Sequence, residues 1–586
     1  MNGSPHETRS GPRLAARFGI ILGLLGACSA QTPGPSFAVA GPGSFGALAG
    51  DASASGTALG DYLAGSYALS TGQLDQAAVF LERALAADPD DPDLLRQVYL
   101  LALARGRYDQ AIALAERLIA IEPTDEEAQL LLALNEARDG SFEVASEALE
   151  TIDAQGIAGL AAPFLDAWAI FGQGGRDPSE RSLARLDESE SLGALNVYHR
   201  AMMLDLDDRL DEALATLSGG MPEDGPLPVR LVRAQASMLA RQGDVEAAVE
   251  LLRDQAAERP DQPVLEDALA ELEAGRNLPP AFDDPAGGMA DALWGIAQAL
   301  HQERGGSRAV VYARLALFLH PDLAEATLLI GDVFTEQQNF EAAIDTYATI
   351  ESTSPINYAG KLRTASALHE MDRKEQAFEL LEREAAAEPE RVQALVQLGN
   401  LLRGDEQYER AERAYTRAVE RLGTPEREDW TLFYARGIVY ERIKQWPQAE
   451  ADFFKALELE PEQPLVLNYL GYSWVDNGVR LDEAREMLDR AVAARPNDGF
   501  IVDSMGWVHY RLGEYAKAVA SLERAVELEP GDPVINDHLG DAYWRVGRHR
   551  EARYQWQRAL TLEPEPDQIE AIGRKLESGL PPPDRA

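Results

Sequence analysis

The chain has 586 residues and a formal net charge of −44. That length is far beyond one compact core, whereas a solenoid simply adds units, and alanine-rich segments with few β-branched runs leave little room for a sheet. The charge excludes nucleic acid and an anionic membrane face as the main ligand, because neutralising phosphates takes clustered Lys and Arg; it fits a basic partner, or carboxylates that merely keep a long scaffold soluble.

At the N-terminus, Arg9, Arg13 and Arg17 precede an apolar stretch, Phe18 to Ala27, that is too short to span a bilayer as a helix. Residues 1–27 therefore read as an export signal. The end of this stretch, Leu25-Gly26-Ala27-Cys28, resembles the bacterial lipobox, which implies cleavage before Cys28 and lipidation of its thiol. The other reading is an ordinary secretory signal with an incidental cysteine. Several acyl chains would anchor the protein where one would not. Ser29, where the same resemblance would place Asp for retention, implies release to the outer membrane, facing the periplasm. Residues 28–57, rich in Gly, Ala, Ser and Pro, have little to bury and are expected to form a disordered, lipidated tether. A flexible coil of that length reaches about 30 Å.

Beyond the tether a period emerges. Pro89 and Pro123 lie 34 residues apart, as do Pro321, Pro355 and Pro389, and then Pro496, Pro530 and Pro564. Gly437, Gly506 and Gly540 each precede Pro461, Pro530 and Pro564 by 24 residues, with Ala449, Ala518 and Ala552 twelve residues after the glycines and Ala456, Ala525 and Ala559 seven further on. Tyr440, Phe453, Leu522, Tyr543 and Trp556 fill intermediate slots. Two antiparallel helices that cross closely need small residues at the crossing, bulky ones around it, and a proline to end the second helix.

This pattern resembles the tetratricopeptide repeat. The resemblance implies an all-α fold, a right-handed solenoid of helix-turn-helix units. The small residue of the second helix recurs at Ala77, Ala111, Ala145, Ala213, Ala248, Ala309, Ala343, Ala377, Ala411, Ala449, Ala484, Ala518 and Ala552, giving about thirteen repeats. Breaks in phase suggest an N-terminal array at 58–274 with a degenerate segment at 153–200 around Trp168 and Ala184, an irregular joint at 275–289, and a central array at 290–422. A C-terminal array at 423–565 follows an insertion at 423–429 and carries one extra residue at Gly478-Val479, and 566–586 reads as a capping helix and tail.

In such solenoids the first helix of each repeat lines a concave groove with its positions 2, 5, 9, 12 and 13. Laid on this sequence, these are Asn468, Tyr472, Val475 and Asp476; then Phe500, Asp503, Trp507, Tyr510 and Arg511; then Val534, Asp537, Asp541, Trp544 and Arg545. The candidate binding residues are Asn468, Tyr472, Asp503, Trp507, Tyr510, Asp537, Asp541 and Trp544, aromatic anchors among carboxylates that suit a protein surface carrying basic and apolar groups. Some of these rings would instead pack between repeats, as Trp474 and Trp556 do by their motif slots. A clamp for chaperone C-termini is not expected, since Asp503, Trp507, Val534 and His538 stand where such clamps carry Lys, Asn and Arg.

Chemistry is sparse. Cys28 is the only cysteine, which excludes disulfides, thiol catalysis and cysteine-based zinc sites. The eight histidines are scattered, and no HExxH, Walker-type, GxSxG or GxGxxG motif has a strand-to-helix junction to sit on. Asp537-His538, with Asp541 one turn on, is followed by Arg545 and Arg550 and has no obvious orienting partner. No catalytic, cofactor or metal site is expected.

From Asn468 to Leu560 the succession LGY, DSMGWVxYRLG and HLGDxxW resembles the C-terminal repeats of large proteobacterial tetratricopeptide lipoproteins. One branch of that group is an outer-membrane adaptor that binds a periplasmic carboxyl-terminal processing protease and brings it cell-wall hydrolases. The resemblance implies a non-catalytic, lipid-anchored adaptor. An assembly scaffold for exopolysaccharide or outer-membrane export machinery is the alternative, and a glycan-associated enzyme would require a pocket of converging carboxylates.

Overall fold

The computed structural model describes residues 57–152, 156–175, 183, 193–220, 227–258, 262–303 and 305–582. The leader, Cys28, the tether up to residue 56, Ala184 and residues 583–586 lie outside them. Among the described residues every regular element is helical, twenty-nine α-helices and one 3-10 turn. The chain falls into two units, Met1–Ala377 and Phe378–Ala586.

Unit 1 holds α1 (Ala58–Ser70), α2 (Leu74–Ala87), α3 (Pro92–Ala104), α4 (Tyr108–Ile121), α5 (Glu126–Arg138), α6 (Phe142–Leu149), α7 (Ile157–Gly172), α8 (Gly193–Leu206) and α9 (Leu210–Gly220). It continues with α10 (Val229–Gln242), α11 (Val245–Glu258), α12 (Pro263–Glu273), α13 (Pro285–Gln302), α14 (Gly306–Leu319), α15 (Ala324–Glu336), α16 (Phe340–Tyr347) and α17 (Asn357–Glu370). The division falls inside α18 (Lys374–Ala387). Unit 2 then holds α19 (Gln393–Gly404), α20 (Tyr408–Arg421), α21 (Trp430–Arg442), α22 (Trp446–Leu459), α23 (Pro464–Asp476), α24 (Leu481–Ala494), α25 (Gly499–Arg511), α26 (Tyr515–Leu528), α27 (Pro533–Arg545), α28 (His549–Leu560) and α29 (Pro566–Ser578).

The repeat chemistry is visible in hairpins of both units, most tightly where the first helix carries glycine at the crossing. A Cβ added at Gly399 would lie 2.5 Å from the Tyr415 ring, and one at Gly540 would lie 2.5 Å from the Trp556 indole, so the first helix meets the second where no side chain fits. The alanines from Ala77 to Ala552 that mark the second helices are all fully buried. The turn between the two helices needs one left-handed residue, supplied by glycine at Gly106, Gly140, Gly513 and Gly547 and by Asp372, Glu406 and Lys444 elsewhere. The extra residue near Gly478 lengthens one such turn, in which Gly478 and Arg480 both take positive φ. The 423–429 insertion contains the 3-10 turn Arg427–Asp429 just ahead of α21.

Unit 1 departs from a simple stack. Helices α10 to α12 close a separate apolar core around Val232, Leu252, Leu265 and Leu272. The irregular stretch after them runs to Asp284, whose side chain accepts a hydrogen bond from Gly287 N at 2.8 Å; Pro285 takes the first position of α13. From there the chain folds back. Helix α13 packs on α7 and α8, and α14 packs on α3 and α5. Gly288 admits the Trp168 ring against α13, and Trp168 stands edge-on to Phe282 at 5.4 Å. Tyr108 donates to Arg314 O at 3.1 Å, Arg314 Nε donates to Ala104 O at 3.0 Å, and Arg138 lies over the Phe318 ring at 4.2 Å. Further on, Asn339 donates to Gly72 O at 2.8 Å. One buried apolar cluster therefore runs from Ala68 to Ile356. A stack with neighbour contacts only would contain no such long-range bonds.

Candidate protein-binding groove

Ala104 and Arg138 are the last residues of the first helices α3 and α5, a position that lines the groove in the repeat pattern. Both are occupied by α14, so the inner side of these repeats is filled by the chain itself. The polar groups nearby are sealed in as well. Where α7, α8, α10 and α13 meet, Trp168 Nε1 donates to His199 Nδ1 at 3.3 Å and Arg230 reaches Asp291 at 3.3 Å. Burial, reinforced by Arg230, holds the His199 imidazole well below its usual pKa, and therefore neutral.

Unit 2 keeps an open face on α23, α25 and α27. Each helix is started by a side chain that accepts from the first-turn backbone: Gln463 for α23, Asp498 for α25 and Asp532 for α27. That start sets the phase, so the residues at positions 5 and 9 of one first helix meet positions 6 and 10 of the next. Asp503 thus faces His538, with Nδ1 3.0 Å from both carboxylate oxygens. Asp537 and Asp541 face Lys575 of α29, whose Nζ lies 2.7 Å from Asp537 Oδ2 and 2.8 Å from Asp541 Oδ1. Trp556 Nε1 also donates to Asp541 Oδ1, at 2.9 Å.

The three predicted carboxylates are therefore engaged inside the protein. Asp503 and Asp541 are buried, and Asp537 is half-buried against Lys575. Burial alone would lower the His538 pKa, but the neighbouring Asp503 carboxylate, aided by Asp537 and Asp541, outweighs it and raises the pKa above the usual histidine value. Burial raises Asp541, against the pull of Lys575.

The aromatic candidates form a ledge. Trp507 stacks on His538 with centroids 4.0 Å apart and planes at 11°, and on Tyr510 at 4.7 Å and 4°. Arg545 Nε donates to the Tyr510 hydroxyl at 3.1 Å, and Arg511, exposed, donates to the backbone of Asp476 at 3.0 Å. Tyr472 is half-buried, its phenol pushed upward by burial and then by Asp503 and Asp476. Asn468 Oδ1 and Trp507 Nε1 are buried without a hydrogen-bond partner. Beside the ledge, Phe500 is 53% exposed at the edge of a cleft of about 520 Å³ shared with Arg495, Asn497 and Glu529. Trp544 differs: Gly579 lies against its ring and Trp556 sits 5.4 Å away, so the C-terminal segment covers it.

Sequence reasoning missed the partner of His538. The signal was present: 35 residues separate Asp503 from His538, one repeat plus the single step from position 5 to position 6. Lys575 was equally legible at position 10 of α29. Among the described residues no group of three or more His, Cys, Asp or Glu could hold a metal ion, and no helix is long and apolar enough to cross a membrane.

Family models described as tetratricopeptide repeat match residues 68–134, 396–464 and 434–499, and one described as TPR repeat matches 506–547. A TPR repeat-containing protein of Pseudomonas aeruginosa is 30% identical over 190 residues, covering 32% of this chain and 31% of that protein. The protein O-mannosyl-transferase TMTC3 of Homo sapiens is 26% identical over 225 residues, 35% of this chain and 24% of its own. The chain thus spans less than a third of the length of these curated relatives. Among solved structures, the APC/C hetero-tetramer Cut9-Hcn1 is similar over 89% of this chain and 96% of that chain, at 14% identity and a TM-score of 0.37.

Proposed function

We propose that this tetratricopeptide-repeat protein is a non-catalytic adaptor of the cell envelope, recruiting a periplasmic carboxyl-terminal processing protease and its cell-wall hydrolase substrates. Tetratricopeptide repeats indicate a protein–protein interaction scaffold; the partner, the lipid at Cys28 and the outer-membrane location are our reading. The observation that carries it is the open ledge of Tyr472, Trp507 and Tyr510 beside exposed Arg511 and Phe500, in contrast to the filled inner side of α3 and α5. Flat rings held by stacking give a partner contact area at little entropic cost, and an exposed guanidinium, already oriented by the Asp476 carbonyl, adds direction. With Asp503 engaged by His538, and Asp537 and Asp541 by Lys575, recognition falls to the rings and the arginine rather than to acidic groups. Anchoring such a surface on a membrane raises the effective concentration of whatever it holds.

The test is recovery of partners from detergent-solubilised membranes by the full chain and by a Trp507→Ala, Arg511→Ala variant. The reading expects a processing protease with the wild-type chain and at least a tenfold loss with the variant, the scale of one interface hot spot. Failure to recover any protease, with wall-hydrolase levels unchanged on deletion, rejects it. Recovery of an outer-membrane pore instead would favour the export-scaffold alternative.

A further inference from the structure

The segment after α29 runs back onto α27. Gly579 takes φ 72° and ψ −175°, a backbone region open almost to glycine alone. A Cβ added there would stand 1.9 Å from the Trp544 indole, so it is bare backbone that lies against the ring. Leu580 packs on the apolar cluster around Trp556 and Ile572, and Pro581 O accepts a hydrogen bond from Arg545 Nη1 at 2.5 Å. Arg545 Nε donates to the Tyr510 hydroxyl at 3.1 Å, so one guanidinium joins this segment to the ledge. Trp544 and Arg545 are positions 12 and 13 of α27, the groove positions that Tyr510 and Arg511 fill on α25. On α25 the arginine stands exposed; on α27 the place is taken by an uncharged stretch, Gly579 to Pro582, without regular structure.

We propose that Trp544 and Arg545 form a subsite for an extended, uncharged segment of the order small, apolar, proline, and that Gly579–Pro582 is the chain's own occupant of it, which a partner segment of the same chemistry displaces. This deepens the adaptor reading and rests on it for the existence of an outside partner. Each feature of the occupant answers one of the subsite. The ring admits a residue without a side chain. Leu580, standing before a proline, is confined to extended backbone, and Pro581 brings a carbonyl that needs a donor. Arg545 supplies that donor, and its charge makes the bond stronger than a neutral one. Pro581 and Pro582 are otherwise exposed, so the ring, the apolar edge and the guanidinium are the contacts that hold the segment. An extended proline segment has no internal hydrogen bonds to break and little freedom to lose, which suits it to exchange with a competitor offering the same three contacts.

The probe is a labelled peptide with the sequence of residues 576–582, its binding to the full chain read by fluorescence polarisation. A short tether holds its end at an effective concentration on the order of 1 mM, so a segment that fills the subsite in cis should bind in trans with a Kd below about 1 mM. Gly579→Val, which cannot enter that backbone region or fit against the ring, and separately Leu580→Asp should each empty the subsite with the helical circular dichroism unchanged. The peptide should bind either variant roughly tenfold or more tighter than it binds the wild type, whose subsite is filled. Adding Arg545→Ala should weaken that binding by roughly tenfold, the scale of one hydrogen bond to a charged group. Equal affinity for the wild type and both variants, binding to none of them at about 1 mM, or no effect of Arg545→Ala overturns the proposal, the segment then being a fixed cap on α27. The probe is the chain's own sequence, so a negative result leaves the protease reading to its own pull-down, and a failed pull-down leaves a positive result here standing.

Discussion

Gly540 and Trp556 meet at a contact with no slack. Gly540→Ala would place a methyl group against the indole, and a buried ring on a helix crossing can yield only by displacing its helix. A loss of about 1–3 kcal/mol is expected, the usual cost of overpacking a core, read as a lower denaturant midpoint for unit 2. The Asp503–His538 pair gives a residue-level prediction with a definite sign. A histidine whose folded pKa exceeds its unfolded value adds stability that is complete below the unfolded pKa of about 6.5 and is lost as pH rises through the folded value. The groups acting on it are Asp503 from α25, Asp537 and Asp541 from its own helix, and Lys575 held by those two. Nuclear magnetic resonance titration should find His538 above the ordinary histidine value, and Asp503→Asn should bring it down, because burial then meets less opposition. A His538 titrating below that value in the wild type would contradict the pairing.

At the level of elements, α29 completes unit 2 by supplying a cation to two aspartates and an apolar edge, Ile572, to the cluster around Trp556. Lys575→Met would leave Asp541 buried against Asp537 without its counter-ion. A cost of about 3 kcal/mol is expected, since removing one partner of a buried pair strands the other, and amide exchange should speed up first in α28 and α29. The start of α27 is cheaper to disturb. Asp532 accepts from Ile535 N at 2.9 Å, and Asp532→Ala should cost about 1 kcal/mol in thermal or chemical denaturation.

These elements also show what the sequence could disclose. The hairpins were readable because small residues at a crossing leave a fixed spacing, and the thirteen alanines from Ala77 to Ala552 that recur at the small-residue position of the second helix are all buried. Trp474 and Trp556 could be assigned to the core for the same reason. The use of the groove residues was harder to read. Position numbers place Asp503, Asp537 and Asp541 on the inner side, but whether a carboxylate there is free depends on the residue one repeat later, a His and a Lys that composition alone does not single out. The return of α13 and α14 onto α3, α5 and α7 left no periodic mark at all, because it is a packing of faces far apart in the chain.

For the molecule as a whole, the two units should differ in how they come apart. Bonds such as Tyr108 to Arg314 tie the beginning of unit 1 to its later part, so its repeats gain and lose structure together. The side-chain bonds described for unit 2, such as those from Lys575 to Asp537, 38 residues apart, and from His538 to Asp503, 35 apart, join adjacent repeats, which is the neighbour coupling that lets a stack open from one end. Hydrogen exchange followed by mass spectrometry should show one shared opening rate across α3, α5, α7, α13 and α14, and a gradient in unit 2 that is fastest at α29.

The fold-back within unit 1 also limits how the gene can change. Helices α13 and α14 are fitted to particular partners, Trp168 on one and Ala104, Tyr108 and Arg138 on the other, so the count of units between α3 and α7 is locked like the rungs of a closed frame. Duplicating one 34-residue unit there would carry α7 a full step away from the helix it must receive, whereas the same duplication between α26 and α27 only adds another rung to an open ladder.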